Sequence, residues 1–224
     1  MTYQTLFFDL DGTLYPPANG LLKAINHRIR SYLIEEMQFS AEQALDLQER
    51  YFHQYGTTLV GLRNHHRVNT DHYLAFVHDL PLEKYLSFDP ELRKIITSLH
   101  QPKWIFTNSI KPYAQKVISI LGVDDQFQGI IDSTWVDHQT KPAPQAYQQA
   151  MEIAGVKDPS HCVLFDDRME NLNPAQELGM FTVLINPDNL PSRADLQMSQ
   201  LHDLPLRFPQ LWNGAHSPDQ AASG

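Results

Sequence analysis

Apolar residues follow two different rhythms along this chain. Leu21, Leu22, Ile25, Ile29, Leu33 and Met37 recur three or four positions apart, the spacing of one face of an α-helix. Ser40-Ala41-Glu42-Gln43 fits a capping box, so a second helix is expected to open there and to stop at Gly56. Two more helical stretches are expected at residues 58–65 and 70–78. From about residue 88 the texture changes. Short unbroken apolar runs at residues 103–107, 129–132, 162–165 and 181–185, with the run ending at Phe8, read as buried strands, the run at 181–185 being the last. Between them lie helical patterns at residues 111–121, 144–154 and 171–178, followed by the stop signals Gly122, Gly155 and Gly179. Pro144 falls in the first turn of its helix, where proline is tolerated. Strands that are apolar throughout and alternate with helices predict an α/β fold. Its core is a doubly wound parallel sheet, Rossmann-like and covered on both faces.

This pattern divides the chain. Residues 1–14 and 88–205 form a discontinuous α/β core, and residues 15–87 form an all-helical domain inserted after the first strand. The insert is expected to cap the carboxyl ends of the strands. Residues 206–224 are a tail in which Leu206, Phe208, Leu211 and Trp212, with Leu204 just before, are expected to dock on the core. Residues 213–224 are small, polar and aperiodic and are expected to be disordered.

Composition narrows the function classes. A length of 224 residues suits one large domain or a core with a smaller insert. The formal net charge of −9 argues against a nucleic-acid polymer as partner. It leaves room for a small phosphorylated substrate, because a local site can differ in sign from the whole. The one cysteine, Cys162, cannot form an internal disulfide, which points to a reducing, cytoplasmic compartment. It falls in an expected core strand and reads as a buried thiol rather than a nucleophile. No basic segment followed by an apolar run opens the chain, so no secretory signal is expected. No apolar stretch reaches the roughly 20 residues of a membrane helix, so no membrane partner is expected.

The candidate chemistry begins at Phe7-Phe8-Asp9-Leu10-Asp11-Gly12-Thr13-Leu14, where an apolar strand runs into two acids one residue apart. Two like charges about 4 Å apart repel by roughly 4 kcal/mol at an effective dielectric near 20. A cation is the natural compensation. Three further signals fall at expected strand ends: Thr107-Asn108, Lys141 in Thr140-Lys141-Pro142, and Asp166-Asp167. Singly, each has an ordinary structural explanation: an Asp-Gly turn, a helix cap, a solvated loop lysine, a complement to a helix dipole. Together they point to one crevice, because ligands of open α/β sheets bind outside the carboxyl ends of the strands. Phosphoryl transfer uses this set. Mg²⁺ takes carboxylate oxygens and would neutralise Asp9, Asp167 and a substrate phosphate together. One carboxylate attacks phosphorus, and a second protonates the leaving oxygen and then activates water. Thr107, Asn108 and Lys141 suit the charge that develops on the phosphoryl oxygens.

The ordered set Asp9-x-Asp11-Gly12-Thr13, Thr107-Asn108, Lys141-Pro142 and Asp166-Asp167 resembles the four motifs of the haloacid dehalogenase-like hydrolases, and the insert stands where that superfamily places its first type of cap. The resemblance implies Asp9 as nucleophile and metal ligand. It implies Asp11 as acid/base that also gives its backbone carbonyl to Mg²⁺. Thr107 and Lys141 would hold the phosphoryl group, Asp167 would be the main acidic metal ligand of the last motif, and Asp166 would support it or bind a metal water. Dehalogenases of the superfamily lack the second acid of the first motif, so Asp11 favours phosphate chemistry. Phe7 to Pro16, Tyr55-Gly56-Thr57-Thr58-Leu59, Val77-His78-Asp79-Leu80-Pro81-Leu82 and Trp104 to Asn108 are similar to the pyrimidine 5′-nucleotidase branch. This chain has Gly12 where that branch often has Asn and Arg168 where it usually has Ser.

The implied activity is a Mg²⁺-dependent phosphatase of small phosphate monoesters, nucleoside 5′-monophosphates with a pyrimidine preference, acting through an aspartyl-phosphate on Asp9 as monomer or homodimer. A phosphomutase or sugar-phosphate phosphatase shares the same core residues. A phospho-accepting receiver module is the remaining alternative, with Asp132 near the position of its phosphorylated acid. In the insert, Arg63, His65, His66 and Arg67 form a polar cluster in which Arg63 is a candidate for a base or ribose, and Tyr55 is a candidate for stacking on a base. No histidine has zinc-site spacing.

Overall fold

The computed structural model describes residues 3–132, 140–188 and 191–212. Six strands, β1 (Thr5–Phe8), β2 (Lys103–Phe106), β3 (Gly129–Ile131), β4 (Cys162–Asp166), β5 (Phe181–Ile185) and β6 (Leu196–Met198), form one sheet in the order β3-β2-β1-β4-β5-β6. Every pairing is parallel. All four residues of β1 are buried, as a central strand covered on both faces requires. Leu6 and Phe8 face one apolar layer, with α5 (Pro90–Ser98) and α6 (Lys111–Leu121). Phe7 faces the other, with α7 (Pro144–Ile153) and α8 (Met169–Leu178). Phe8 stacks on its cross-strand neighbour Phe165 at 4.5 Å between ring centres.

Topology places the site. From β1 the chain order runs through β2 and β3 to one edge and through β4, β5 and β6 to the other. The carboxyl ends of β2, β1 and β4 therefore lie side by side at the switch point of the sheet.

The insert after β1 comprises α1 (Leu21–Glu35), α2 (Ala41–Tyr55), α3 (Thr58–His65) and α4 (Thr70–Val77). It has its own apolar centre around Tyr32, Leu33, Leu47, Tyr51, Leu62 and Tyr73. The capping box is formed: the Gln43 N–H donates to Ser40 Oγ at 3.2 Å and the Ser40 N–H to Gln43 Oε1 at 2.9 Å. Arg28 ties α1 to α4 by donating to the Phe76 carbonyl at 2.6 and 3.0 Å while covering the Phe76 ring. Both ends of the expected insert, at Leu21 and at Leu82 and Leu86, bury their side chains in the layer under the sheet.

Two elements exceed the expectation. The last strand is β6, not the run at 181–185. At three residues, with only Met198 buried, it is too short to carry a periodic signal. Helix α5 is capped by Asp89, which accepts from the Leu92 N–H at 2.9 Å, and has Pro90 in its first turn. At the C-terminal end, Leu204, Phe208 and Leu211 enter the core layer, whereas Leu206 is 84% exposed. Residues 213–224 and their expected disorder lie outside the described residues. Among the described residues, no helix is long and apolar enough to cross a membrane.

Helices α2 and α3 pack closely because residue 61 is glycine: a Cβ there would stand 2.1 Å from Tyr51 Cγ. Helix propensity alone would favour Gly61→Ala by about 1 kcal/mol. Overpacking against the base of a buried ring costs about 1–3 kcal/mol. Gly61→Ala is therefore expected to lower the urea midpoint, and an unchanged or higher midpoint would contradict this packing.

Candidate active site

The loops at the strand ends bring the expected residues together. Asp9 and Asp11 follow β1, Thr107 and Asn108 follow β2, Lys141 precedes α7, Asp166 ends β4 and Asp167 comes next. A crevice of about 450 Å³ opens between them and the insert. Its floor holds Asp9, Asp11, Thr107, Asn108 and Asp167, and its roof includes Ile29, Gln48, Phe52, Tyr73 and Val77.

Lys141 is the electrostatic centre. Its side chain is completely buried, and Nζ donates to Asp9 Oδ1 at 2.9 Å and to Asp166 Oδ2 at 2.6 Å. Burial alone would lower the ammonium, but Asp166 and Asp9 hold it above the ordinary lysine value. The loop is fixed by Asn108: its Nδ2 donates to the Lys141 carbonyl at 2.8 Å, and its Oδ1 accepts the Lys141 N–H at 2.9 Å. The Asn108 amide thus grips the lysine loop, although Asn108 also lines the crevice. Thr107 Oγ1 accepts the Ser109 N–H at 3.0 Å, which leaves the hydroxyl proton available to a ligand.

One cation does not balance three acids. Carboxylate oxygens of Asp9, Asp166 and Asp167 lie within 4.8 Å of one another. Burial pushes Asp9 up to about 7 against the pull of Lys141, and Asp166 and Asp11 push the same way. Burial pushes Asp167 up to about 8, with Asp166 and Asp9 adding to it. Asp166 is well satisfied: beyond Lys141 it accepts the Arg168 N–H at 3.0 Å and the Asn171 amide at 2.9 and 3.1 Å. Asp167 accepts no hydrogen bond among the described residues, and Asp9 Oδ2 has only a long contact, 3.4 Å, from the Thr13 hydroxyl. Gly12 makes room for Asp167: its φ is +91°, and a Cβ would stand 2.5 Å from Asp167 Oδ2. Asn171 Oδ1 is buried without a partner beside this group. Oxygen donors with excess negative charge fit a hard divalent cation such as Mg²⁺, with Asp9 and Asp167 as the free ligands and Asp166 as their support.

The Asp11 carboxylate is turned toward hydroxyls. Its Oδ1 accepts from Tyr15 and, at 2.8 Å, from Tyr113, and its Oδ2 accepts from Ser109 at 2.6 Å. Burial, with the Asp11 charge, raises both tyrosines well above their ordinary values, so both are donors. Sequence reasoning missed Tyr15, Ser109, Tyr113 and Asn171. Each stands one to five positions from a residue of the four motifs and has no signal of its own.

The insert residues separate. Arg63 is exposed and lines the crevice. Tyr55 does not line it: its hydroxyl pairs with His65 Nε2 at 2.6 Å and its ring packs near Tyr51, which takes it away from the expected stacking role. Arg168 joins insert to core, donating to the Gly56 carbonyl at 3.2 Å and lying 4.0 Å over the Phe52 ring. Asp132 accepts the Lys111 N–H at 2.6 Å at the start of α6 and is buried, a poor position for a phospho-accepting acid. Cys162 is buried and its thiol is pushed up to about 12, so it is no nucleophile.

A doubly wound sheet with four polar loops converging under a helical insert defines a hydrolase of the haloacid dehalogenase architecture. Residues 3–179 match the haloacid dehalogenase-like hydrolase family, and the chain belongs to it. Phosphate metabolism protein 8 of Saccharomyces cerevisiae is 29% identical over 198 residues, 81% of this chain. The match spans 61% of that protein's length. The HAD phosphatase of Thermococcus onnurineus superposes with a TM-score of 0.63 at 19% identity, covering 91% of this chain and 96% of that one. The L-2-haloacid dehalogenase of Xanthobacter autotrophicus, with chloropropionic acid covalently bound, gives 0.59 at 15% identity, covering 96% and 100%. At such identities these structures share the fold, and the fold alone does not choose between their reactions.

Removing one partner from a buried ion pair costs about 3–5 kcal/mol. Lys141→Met is therefore expected to lower the melting temperature strongly. Because the unpaired acids can take up protons, the loss should be larger at pH 8 than at pH 6, and equal losses would argue against Lys141 as the balancing charge. In EDTA, the raised acids bind more protons folded than unfolded between pH 4 and about pH 8, so their contribution to stability falls as pH rises through that window. Asp167→Asn, which removes one of them, should gain stability relative to the unaltered chain as pH rises across the same range. A constant difference in urea titrations would refute the assignment.

Proposed function

We propose that this protein is a Mg²⁺-dependent phosphatase of small phosphate monoesters, with nucleoside 5′-monophosphates, pyrimidine ones preferred, as its substrates. The convergence of Asp9, Asp166 and Asp167 around buried Lys141 carries the reading. Such a site has negative donors for a hard cation and a lysine beside the attacking oxygen. Asp11 supports phosphoryl over halide chemistry, since the superfamily's dehalogenases lack that second acid. The name of the yeast relative, phosphate metabolism protein 8, agrees with this. The nucleotide preference rests on the likeness of Gly56-Thr57-Thr58-Leu59 to the pyrimidine 5′-nucleotidase branch, and these four residues line the crevice, as does Arg63.

Asp9 Oδ2, the less engaged oxygen, attacks phosphorus as the bond to the leaving oxygen breaks. The leaving oxygen takes the electron pair and a proton from the Asp11 carboxyl. The Asp11 carboxylate then accepts a proton from the water that hydrolyses the aspartyl-phosphate, releasing phosphate and restoring Asp9. Lys141 fixes the other oxygen of Asp9, and the third of its N–H groups would turn to a phosphoryl oxygen. Thr107 offers its hydroxyl to a second. Bound Mg²⁺ would supply the positive charge that lets an anionic nucleophile meet an anionic phosphate.

Against a panel of phosphate esters, the protein should release phosphate from UMP and CMP with Mg²⁺, stop in EDTA and recover when Mg²⁺ is restored. Asp9→Asn should lower kcat on the order of a thousandfold or more. Normal turnover by that variant would overturn the assigned nucleophile, and an isomerised phosphoester as product would favour the mutase alternative.

A further inference from the structure

Three hydroxyls from three separate elements meet on one carboxylate, and the four ordered superfamily motifs contain none of them. Tyr15 comes from the loop after β1 and forms a backbone bridge with Asp11. Ser109 comes from the loop after β2, and Tyr113 from α6. Tyr15 and Tyr113 are each 3% exposed, and their hydroxyls are 3.4 Å apart. A carboxylate at the end of a loop turns easily about its last torsion, whose preferences are broad. Two donors on Oδ1 and one on Oδ2 fix both its plane and its direction.

The clamp is continuous with the phosphoryl-holding loop and with the insert. Ser109 donates its N–H to Thr107 Oγ1 at 3.0 Å and its hydroxyl to Asp11 at 2.6 Å. One residue thereby sets the distance between the hydroxyl offered to the phosphoryl group and the acid offered to the leaving oxygen. On the other side, the His78 ring lies 4.5 Å from the Tyr113 ring. His78 follows α4, is anchored by Nδ1 to the Leu74 carbonyl at 2.9 Å and lines the crevice. The insert therefore rests on the tyrosine that holds the acid.

We propose that Tyr15, Ser109 and Tyr113 are positioning residues that aim Asp11 at the leaving oxygen, so that their hydroxyls act on leaving-group protonation rather than on attack by Asp9. The inference rests on the phosphatase reading, in which Asp11 gives its proton to that oxygen as the bond to phosphorus breaks. An alkoxide leaves badly unless it is protonated, whereas p-nitrophenolate leaves readily without a proton. A misaimed acid must therefore penalise alkyl esters selectively. A part that merely supports the fold would penalise both esters alike.

Tyr113→Phe, Tyr15→Phe and Ser109→Ala each delete one hydroxyl, and the first two keep the ring. The measurement is kcat/KM with Mg²⁺ for p-nitrophenyl phosphate and for the best-cleaved alkyl phosphate of the panel, beside a thermal melt of each variant. This constant covers the steps through leaving-group departure and not the later hydrolysis that both esters share. In Tyr113→Phe the loss on the alkyl ester should exceed the loss on p-nitrophenyl phosphate by roughly tenfold to a hundredfold, a part of the hundredfold or more that general acid catalysis supplies. It should appear mainly in kcat, with KM moving less. Should Tyr113→Phe fail to fold, Ser109→Ala, a smaller change at a half-buried site, must show the same selectivity. Equal losses on the two esters, or none in any folded variant, overturn the clamp while leaving the phosphatase reading intact. An unaltered chain that releases phosphate from neither ester overturns both.

Discussion

The buried ammonium of Lys141 holds this structure's chemistry together. Charges taken from water are tolerated only when paired, and this one is paired twice, with Asp9 from the central strand and Asp166 from its neighbour. Each partner arrives from a different strand end, so the pairing exists only when β1 and β4 are in register, Phe8 beside Phe165. The Asn108 amide, gripping both backbone groups of Lys141, brings in the loop after β2. Sheet order, loop position and charge balance are thus three expressions of one constraint. The balance is deliberately incomplete in effect: with three acids to one cation, the site keeps a negative surplus that suits a divalent ion.

Around that centre the helical insert supplies the roof, in which apolar side chains stand beside the charged Arg30, Glu49 and Arg63. It has its own apolar interior, which Ile25 and Ile110 join to one layer of the sheet. It also meets the core through Arg168. That residue directly follows the last-motif acids, yet its guanidinium reaches the end of α2 at Gly56 and covers the exposed face of Phe52. The chain segment that carries Asp166 and Asp167 therefore also touches the roof of the crevice. Arg168 thus has a structural use: a cation reaching upward from the loop that carries the acids.

Much of this was readable in the sequence, for identifiable reasons. Apolar runs and helical spacing located β1 to β5, the four helices of the insert and helices α6 to α8, because each buries a face and so shows a period. Ser40 with Gln43, and the glycines after α2, α6 and α8, marked boundaries because capping is a local matter of one side chain or one positive φ. Strand β6 escaped, since an edge strand of three residues buries too little to leave a pattern. The motif acids, Thr107 and Lys141 were recognisable because their order along the chain is itself a signal. Their partners were not. Nothing in the spacing of Tyr15, Ser109 and Tyr113 says that they face Asp11, because that meeting is made by the sheet and not by neighbouring residues. Asn108 is expected to face a phosphate, and its amide also grips a backbone loop, a second task that only three dimensions reveal. Tyr55 misled for a similar reason: an aromatic at a helix end has two faces, and the fold turned this one toward His65.

Placing Asp9 at the end of β1, in the middle of the sheet, has a consequence for assembly. β1 is made before its two pairing partners, which lie beyond the whole insert and, for β4, most of the chain. Contacts so distant in sequence form late, while the insert's helices, whose partners are near at hand, can condense early. A nascent chain that has not yet synthesised Asp166 holds Asp9 as an ordinary hydrated carboxylate. The penalty of crowding like charges is thereby deferred to the closing step, when the lysine that offsets it arrives in the same motion.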